Sequence, residues 1–226
     1  MYKKIVAGSN TRKTRLHDER GNMISSARLV RNGPKALVSG FARLAFGILS
    51  NRPWISYDMQ NVIEKFLNSK KMVLEYGSGM STLWYAQRSH LVVSVEDDKF
   101  WFEKNLQRFS DYKSANIEYK FCGNPEEYTN AQNFTKNKQF DLIMIDGSYR
   151  YECALQATEI VAPGGLIYLD NCDKSDGGQS GAVKQAREVL EAFAKQNNHS
   201  IQYITDFAPG QFFVQQGLLV RLNQQT

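Results

Sequence analysis

Cysteine is scarce in this 226-residue chain. The three present, Cys122, Cys153 and Cys172, are odd in number and lack the paired spacing of a zinc or redox motif. That excludes a disulfide-stapled scaffold and points to free thiols in a reducing cytosol. No run of about 18 apolar residues occurs, so no membrane-spanning helix is expected. The stretch Met1–Gly21 is polar and charged, without the apolar segment of a secretory signal, and a cytoplasmic protein is expected. Internal repeats and low-complexity tracts are also missing, which excludes solenoids and arrays. Histidine is rare, and His90 and His199 fall in turn-like stretches where surface positions are expected. What remains is a globular composition, 42% apolar and 12% aromatic, long enough for one α/β domain with an appendage.

The net charge of +5 hides an asymmetry. Residues 1–71 carry 14 Lys/Arg against 4 Asp/Glu, whereas residues 72–226 carry 14 against 19. A basic front on a mildly acidic body suits an anionic partner: nucleic acid, anionic lipid or an acidic glycan. A solvated tail is the plain alternative. Residues 1–22 hold few apolar side chains, and no fixed structure is expected there. Residues 23–49 mix Arg28, Arg31, Lys35 and Arg43 with Leu29, Val30, Leu37, Val38, Phe41, Leu44, Phe46 and Leu49. That pattern predicts one or two short helices broken near Gly33–Pro34. Such a basic amphipathic segment either packs on the body or lies on a membrane surface, the latter making the protein membrane-peripheral. Residues 1–52 are therefore read as a basic, partly disordered extension, and 53–226 as the main domain.

Pro53 and Ser56 open a helix that sets Ile55, Met59, Val62, Ile63, Phe66 and Leu67 on one face. Beyond it, short apolar runs alternate with amphipathic stretches. Strands are predicted at 72–76, 91–96, 117–121, 140–145, 165–169, 200–205 and 212–222. Helices are predicted at 82–88, 99–109, 127–133, 149–162 and 181–196. This alternation builds βαβ units, hence an α/β fold with a doubly wound, mostly parallel seven-stranded sheet. The last strand is free to pair antiparallel beside its neighbour.

Open parallel sheets bind ligands at the carboxyl ends of their strands, near the switch in strand order. Here Val73-Leu74-Glu75-Tyr76 runs into Gly77-Ser78-Gly79, and a helix opens at Met80-Ser81-Thr82. A strand, glycine turn and helix in that order let the backbone approach a nucleotide-like ligand closely. The second strand delivers Glu96, 19 residues beyond Gly77, where a carboxylate can take the vicinal hydroxyls of a ribose. The fourth delivers Asp146, and the fifth Asp170 and Asn171. A carboxylate buried without partners is costly, so polar residues at four strand tips argue for a site.

Together these residues resemble the class I S-adenosylmethionine-dependent methyltransferases. Glu75-x-Gly77-x-Gly79 looks like that family's first motif, Glu96 like its second, and Phe140–Gly147 like its fourth-strand motif. Ala162-Pro163-Gly164-Gly165-Leu166-Ile167 looks like the turn before its fifth strand. The stretch Gly77–Trp84, with Pro53-Trp54-Ile55 upstream, looks closest to a bacterial branch whose substrates are mostly unassigned. The likeness covers residues 53–222 and implies a Rossmann-like methyltransferase domain that binds S-adenosyl-L-methionine. It implies that Gly77 and Gly79 pass beneath the methionyl and ribose parts, with Glu75 among the cofactor residues. Ser78, Ser81 and Thr82 would offer hydroxyl or N–H groups to the cofactor carboxylate, and Glu96 would hold the ribose. Asn124 would touch the adenine edge, although the family often has an acid there. Asp97 stands where the family commonly has an apolar residue that stacks on adenine. Asp146 would sit beside the methionyl amine and the reacting centre, as the catalytic base or orienting group.

Asp146, Asp170 and Asn171 also resemble the Mg²⁺ ligands of catechol-type O-methyltransferases, hard oxygens at adjacent strand tips. Otherwise Asp170 and Asn171 cap the loop into the next helix. Tyr149, Arg150 and Tyr151 either line an acceptor pocket or start a helix. Phe207–Phe213 either walls the acceptor site or covers the sheet edge.

The expected reaction is methyl transfer to a hydroxyl of a small molecule or glycan. Nucleic acid ranks lower as acceptor, because the basic front lacks interleaved aromatic platforms. Asp146-Gly147-Ser148-Tyr149 also stands in place of the asparagine-proline-proline-aromatic motif of amino-methylating enzymes. A nicotinamide-dependent oxidoreductase expects a third glycine where Thr82 stands. A polyamine synthase and a catalytically silent S-adenosylmethionine-binding module share the fold and complete the range of readings.

Overall fold

Each apolar run of the main domain becomes a strand of one seven-stranded sheet. The computed structural model describes residues 7–48, 50, 52–110, 112, 116–130, 138–174 and 182–224. The strands are β1 (Met72–Tyr76), β2 (Leu91–Glu96), β3 (Ile117–Phe121), β4 (Phe140–Ile145), β5 (Val161–Leu169), β6 (Ser200–Phe207) and β7 (Val214–Arg221). The helices are α1 (Ser26–Phe46), α2 (Tyr57–Phe66), α3 (Met80–Ala86), α4 (Lys99–Ser110), α5 (Pro125–Thr129), α6 (Arg150–Ile160) and α7 (Val183–Gln196). The sheet order is β3-β2-β1-β4-β5-β7-β6. β1 to β5 pair in parallel, and β7 is antiparallel to both β5 and β6. The order reverses between β1 and β4, so the switch point lies at the tips of those two strands.

The pleat divides the core into two layers. Leu74 and Tyr76 join Val93, Val95, Ile143 and Ile145 on one face, against Cys153, Ala154 and Ala157 of α6 and Leu190 of α7. Val73 joins Val92, Leu142 and Met144 on the other, against Met59 and Ile63 of α2 and Trp84 of α3. Because both faces of β1, β2 and β4 are covered, these strands read as continuous apolar runs. All three cysteines are buried and unpaired.

Four expectations are corrected. First, β5 starts at Val161, ahead of the expected 165: Phe140 pairs with Val161, and the register shifts before Leu142 meets Leu166. Gly165 permits this, since a Cβ there would stand 2.7 Å from the Ala162 carbonyl and 2.9 Å from that of Asp141. Second, the weak helix expected at 127–133 is Pro125–Thr129, begun by the Asn124 cap and by Pro125 in its first turn; residues 131–137 lie outside those described. Third, α1 runs unbroken for 21 residues with Pro34 inside it. A proline in a helix interior costs about 3 kcal/mol, and here tertiary packing outweighs that cost. Gly33, Ala36 and Gly40 form a small-residue face, on which a Cβ added at Gly33 would lie 3.8 Å from the Phe207 ring. Asn32 donates to Asp58 (3.1 Å) and Asp206 (2.8 Å), and Asp58 also pairs with Arg28 and Arg31.

Fourth, residues 7–24 are laid on the β6–β7 end of the sheet. Asp18 is fully buried and accepts the Arg20 and Asn22 amides, the Thr205 hydroxyl and the Gln216 amide group. The Val214 amide donates to the Arg15 carbonyl (2.9 Å), and the Glu19 amide to Asp173 (3.0 Å). A polar segment holds a fixed place here because its hydrogen bonds replace the missing apolar burial.

Candidate functional site

A cleft of about 680 Å³ opens at the carboxyl ends of β1, β2 and β4. The Gly77–Ser81 turn forms its floor, and Glu96, Asp97 and Asp98 one wall. Asp146–Tyr149 form the opposite wall, and Trp54, Trp101 and Arg108 the rim.

The two glycines of the turn differ in purpose. Gly77 has φ +93°, and a Cβ there would meet Gly147 backbone atoms at 2.7 Å. Its bareness lets the tips of β1 and β4 close on each other. Gly79 has extended backbone, and a Cβ there would find only Ser81 Oγ, at 3.7 Å. No protein neighbour requires a glycine at 79, so its bareness serves the space of the cleft it lines.

Beneath the turn, Glu75 is 2% exposed. The β1–β2 register sets Ser94 opposite Glu75, and the Ser94 hydroxyl donates to its carboxylate (2.8 Å). The Ser81 and Thr82 hydroxyls donate to the same group. Burial pushes the Glu75 carboxyl up to about 7, against the pull of these three hydroxyls. Glu75 and Thr82 therefore act through the turn and do not line the cleft, and the hydroxyls of Ser81 and Thr82 face Glu75 instead of a ligand carboxylate.

Glu96 is the second hub. One carboxylate oxygen accepts the Asp97 and Asp98 amides, each at 3.1 Å. The other accepts the Ser78 amide (3.1 Å) and the Ser78 hydroxyl (2.8 Å). Ser78 Oγ also lies 2.7 Å from the Tyr119 hydroxyl. By turning its proton to Tyr119, Ser78 can release one lone pair of Glu96 to a ligand hydroxyl. Burial raises the Glu96 pKa, opposed by these hydrogen bonds.

Asp97 lines the cleft. Asp98 caps α4 by accepting the Trp101 amide (2.7 Å), and Trp101 Nε1 donates to the Ser78 carbonyl (2.7 Å). Trp101 and Arg108 stand seven residues apart on α4, so they share a face and reach the cleft together. That spacing is present in the sequence, but no polar motif on α4 marks it as part of a site. Trp54 and Met80 also line the cleft; both stand in stretches that the sequence marks, but neither is singled out there as a site residue. Asn124 does not line the cleft; its side chain accepts the Glu127 amide (2.9 Å) as the cap of α5.

On the far wall, Asp146 keeps a 41% exposed side chain and contacts Arg150 Nη2 at 3.2 Å. Arg150 is 4% exposed. Its Nε donates to the Gly147 carbonyl (2.9 Å), Nη2 to the Asp146 carbonyl (3.1 Å) and Nη1 to the Asp170 carbonyl. Arg150 is thus a clamp on the β4 and β5 tips, neither a pocket wall nor an exposed helix start. Tyr149, held at φ 47°, does line the cleft, whereas Tyr151 does not. A non-glycine residue in that region is strained and is held there by its surroundings.

Asp170 is buried and accepts the Tyr168 hydroxyl (2.6 Å) and the Gln215 amide group (3.3 Å). Burial, and then the Asp146 charge, push its carboxyl up to about 8. Burial raises Asp146 as well, with Arg150 pulling it back down. Of the two, Asp170 is the less exposed, and burial favours the proton there over Asp146, which Arg150 holds toward its charged form. A carboxyl whose folded pKa is raised stabilises the fold fully below its unfolded value of about 4, and that stabilisation is lost as pH rises toward about 8. Asp170→Asn keeps an acceptor for Tyr168 and Gln215 but cannot ionise. The wild-type Tm is expected to fall relative to this variant between about pH 4 and about pH 8. Parallel Tm–pH curves would show that Asp170 titrates as an ordinary carboxyl.

The residues do not fit Mg²⁺. Among the described residues no carboxylate, histidine or cysteine cluster could hold a metal ion. Asp170 is buried and its Oδ1 is already taken by the Tyr168 hydroxyl and the Gln215 amide group, where a hard cation needs open oxygens. Asn171 has φ 50° in the turn after β5. His90 is exposed at the amino end of β2, and His199 packs against Phe193; neither lines the cleft. Phe207 stacks on Phe212 at 5.1 Å, and both join Ile24 and Ala36 beneath α1, so that stretch covers the sheet end.

No protein-family model matches the chain, and no curated protein matches it. Solved structures do. The O-methyltransferase TomG from Streptomyces achromogenes, involved in tomaymycin synthesis and solved in complex with SAM, is 16% identical. The match covers 88% of this chain and 96% of that one, with a TM-score of 0.59. An rRNA methylase from Streptococcus thermophilus is 14% identical, with 73% and 93% covered and a TM-score of 0.54. A methyltransferase from Pyrococcus furiosus is 17% identical, with 88% and 100% covered and a TM-score of 0.50. At these identities the likeness is one of fold: the chain has the Rossmann-like methyltransferase fold, a seven-stranded mixed sheet that is mostly parallel.

Proposed function

We propose that this chain is an S-adenosylmethionine-dependent methyltransferase acting on a hydroxyl of a small molecule or glycan, akin to the bacterial branch that its Gly77–Trp84 stretch resembles. The observation that carries this reading is the cleft at the β1–β4 switch point, where bare Gly79 faces open space between acidic walls. Its volume lies within the range of about 300–1,000 Å³ of small-molecule sites. The cofactor carries a sulfonium and an ammonium, and Glu96, Asp97, Asp98 and Asp146 outnumber Arg108 among the charged lining groups. These residues fit a cation better than the paired phosphates of a nicotinamide dinucleotide.

The cofactor, when bound, supplies an electrophilic methyl group. The protein aligns the acceptor and manages its proton. Gly79 and Ser78 give the ligand backbone to lie against, and Glu96, freed by the turn of the Ser78 hydroxyl, receives the ribose. Asp146 faces the reacting centre with its backbone held by Arg150. Its raised pKa suits a group that takes a proton from a hydroxyl. The acidic lining speaks against a phosphate backbone in the cleft, so nucleic acid stays the less favoured acceptor.

Calorimetric titration tests the cofactor. S-adenosylmethionine is expected to bind with micromolar affinity, roughly −8 kcal/mol, and a nicotinamide dinucleotide is not expected to bind. Glu96→Gln should weaken S-adenosylmethionine by about 1–2 kcal/mol, roughly tenfold. Binding of the dinucleotide in place of S-adenosylmethionine would end the proposal.

A further inference from the structure

Helix α1 has two unlike faces. The inner one is small and polar, and it is fixed in place. Asn32 bridges Asp58 and Asp206, and Ser39 reaches the Tyr57 hydroxyl and the Gly210 amide, each at 3.0 Å. Arg28 and Arg31 close on Asp58. The outer face is apolar. Val30, Leu37, Val38, Phe41 and Leu44 recur at helical spacing, and Ile48, past the Gly47 cap, is exposed as well. Val30 is 77% exposed, Val38 71%, Phe41 66% and Leu44 88%. Phe46 meets Phe41 edge-on at 6.0 Å and is itself exposed, so the stripe stays open to solvent, and the pinned inner face prevents the helix from rolling it inward.

Charge says what covers it. α1 contains no Asp or Glu, and residues 1–52 carry 11 Lys/Arg against 2 Asp/Glu. Arg31 and Lys35 border the stripe; Arg31 stays half exposed while it pairs with Asp58 of α2. We propose that α1 is an interfacial anchor that lies on an anionic bilayer, its stripe sunk at the boundary of headgroups and acyl chains and its flanking cations on the lipid phosphates. An apolar face bordered by Lys and Arg on a helix that carries no acid is the composition of helices that bind such surfaces. It is an anchor and not a span, since no helix of the described residues is long and apolar enough to cross a membrane. A second copy of this chain fits less well: two-fold pairing sets the same basic helix against itself, and Asp58, the acid beside it, is already held by Arg28 and Arg31. Nucleic acid would satisfy the cations and leave the stripe in water. Arg43 stacks on Trp54 at 4.8 Å, and Trp54 stands on the rim of the cleft, so the anchor helix touches that rim. The anchor rests on α1 alone and does not depend on the cofactor assignment.

Co-sedimentation of the full chain tests this, with vesicles of phosphatidylcholine alone or of phosphatidylcholine and phosphatidylserine in equal parts. The protein is expected to pellet with the anionic vesicles, about tenfold more strongly than with the neutral ones, and to be released by added salt. Phe41→Asp combined with Leu44→Asp should reduce binding at least about tenfold at unchanged Tm, because both side chains are exposed. If that pair lowers Tm, Leu44→Gln alone must still weaken binding. Wild-type protein left in solution with anionic vesicles would overturn the proposal, as would undiminished binding by the variants. A wild-type dimer by light scattering that becomes monomeric in the double variant would overturn it too, assigning the stripe to a second copy.

Discussion

Asp146→Asn is expected to fold and to bind S-adenosylmethionine, yet to transfer methyl about 10²–10⁴-fold more slowly, the usual contribution of a positioned proton acceptor. The fold should survive for a geometric reason. The amide side chain of the variant would keep an oxygen for Arg150 Nη2, and the remaining Arg150 bonds run to backbone carbonyls that the substitution leaves in place. What the variant loses is the negative charge, and with it the ability to take a proton. On the proposed reading that charge also faces the cofactor amine, so a few-fold loss of cofactor affinity should accompany the loss of turnover. The measurement is kcat for the acceptor returned by a screen of phenolic and glycan hydroxyls, beside Tm and the cofactor Kd. A variant with wild-type kcat would remove Asp146 from the chemistry and leave it as a binding group.

Gly77→Ala and Gly79→Ala should fail in opposite ways. At Gly77 a Cβ would overlap Gly147 backbone at 2.7 Å in a residue whose φ is +93°. Overpacking against backbone and a left-handed alanine together cost about 3 kcal/mol. In a domain of this size that lowers Tm by roughly 6–12 °C. At Gly79 the backbone is extended and the new methyl meets only Ser81 Oγ at 3.7 Å, so Tm should hold within about 1–2 °C. The methyl would occupy cleft volume, and cofactor affinity should drop about tenfold or more, roughly 1.4 kcal/mol. Thermal melts and calorimetry of the two variants separate the roles. Equal stability in both would mean that the β1 and β4 tips do not close on each other at Gly77. Unchanged affinity in Gly79→Ala would place the ligand elsewhere in the cleft.

The strands are the most legible part of the fold. β1 to β4 begin and end where the apolar runs predict, because each is bounded by a turn and β1, β2 and β4 are buried on both faces. The sequence misleads at α1 because Gly33 and Pro34 look like a break, and only the fit of Gly33, Ala36 and Gly40 against the β6–β7 end overrides that signal. Residues 7–22, part of the stretch expected to lack fixed structure, read so because their order comes from hydrogen bonds to Asp173, Thr205, Val214 and Gln216, far along the chain. Arg150 offers either a pocket wall or a helix start. Its clamp on two strand tips requires that β4 and β5 lie side by side, which no spacing within a segment announces.

Sequence alone determined that carboxylates and a bare turn stand at the strand ends, since the period of two and the glycine turn are local properties of the chain. It also determined the basic, acid-free character of the front helix. Tertiary structure decided which of those residues face a ligand and which face one another. Glu75 is turned to Ser94 by strand register, Glu96 to Ser78 by the approach of neighbouring tips, and Asp170 to Gln215 by the antiparallel β7. A side chain's type is written where it stands, but its partner is chosen by which distant segments are brought within about 3 Å.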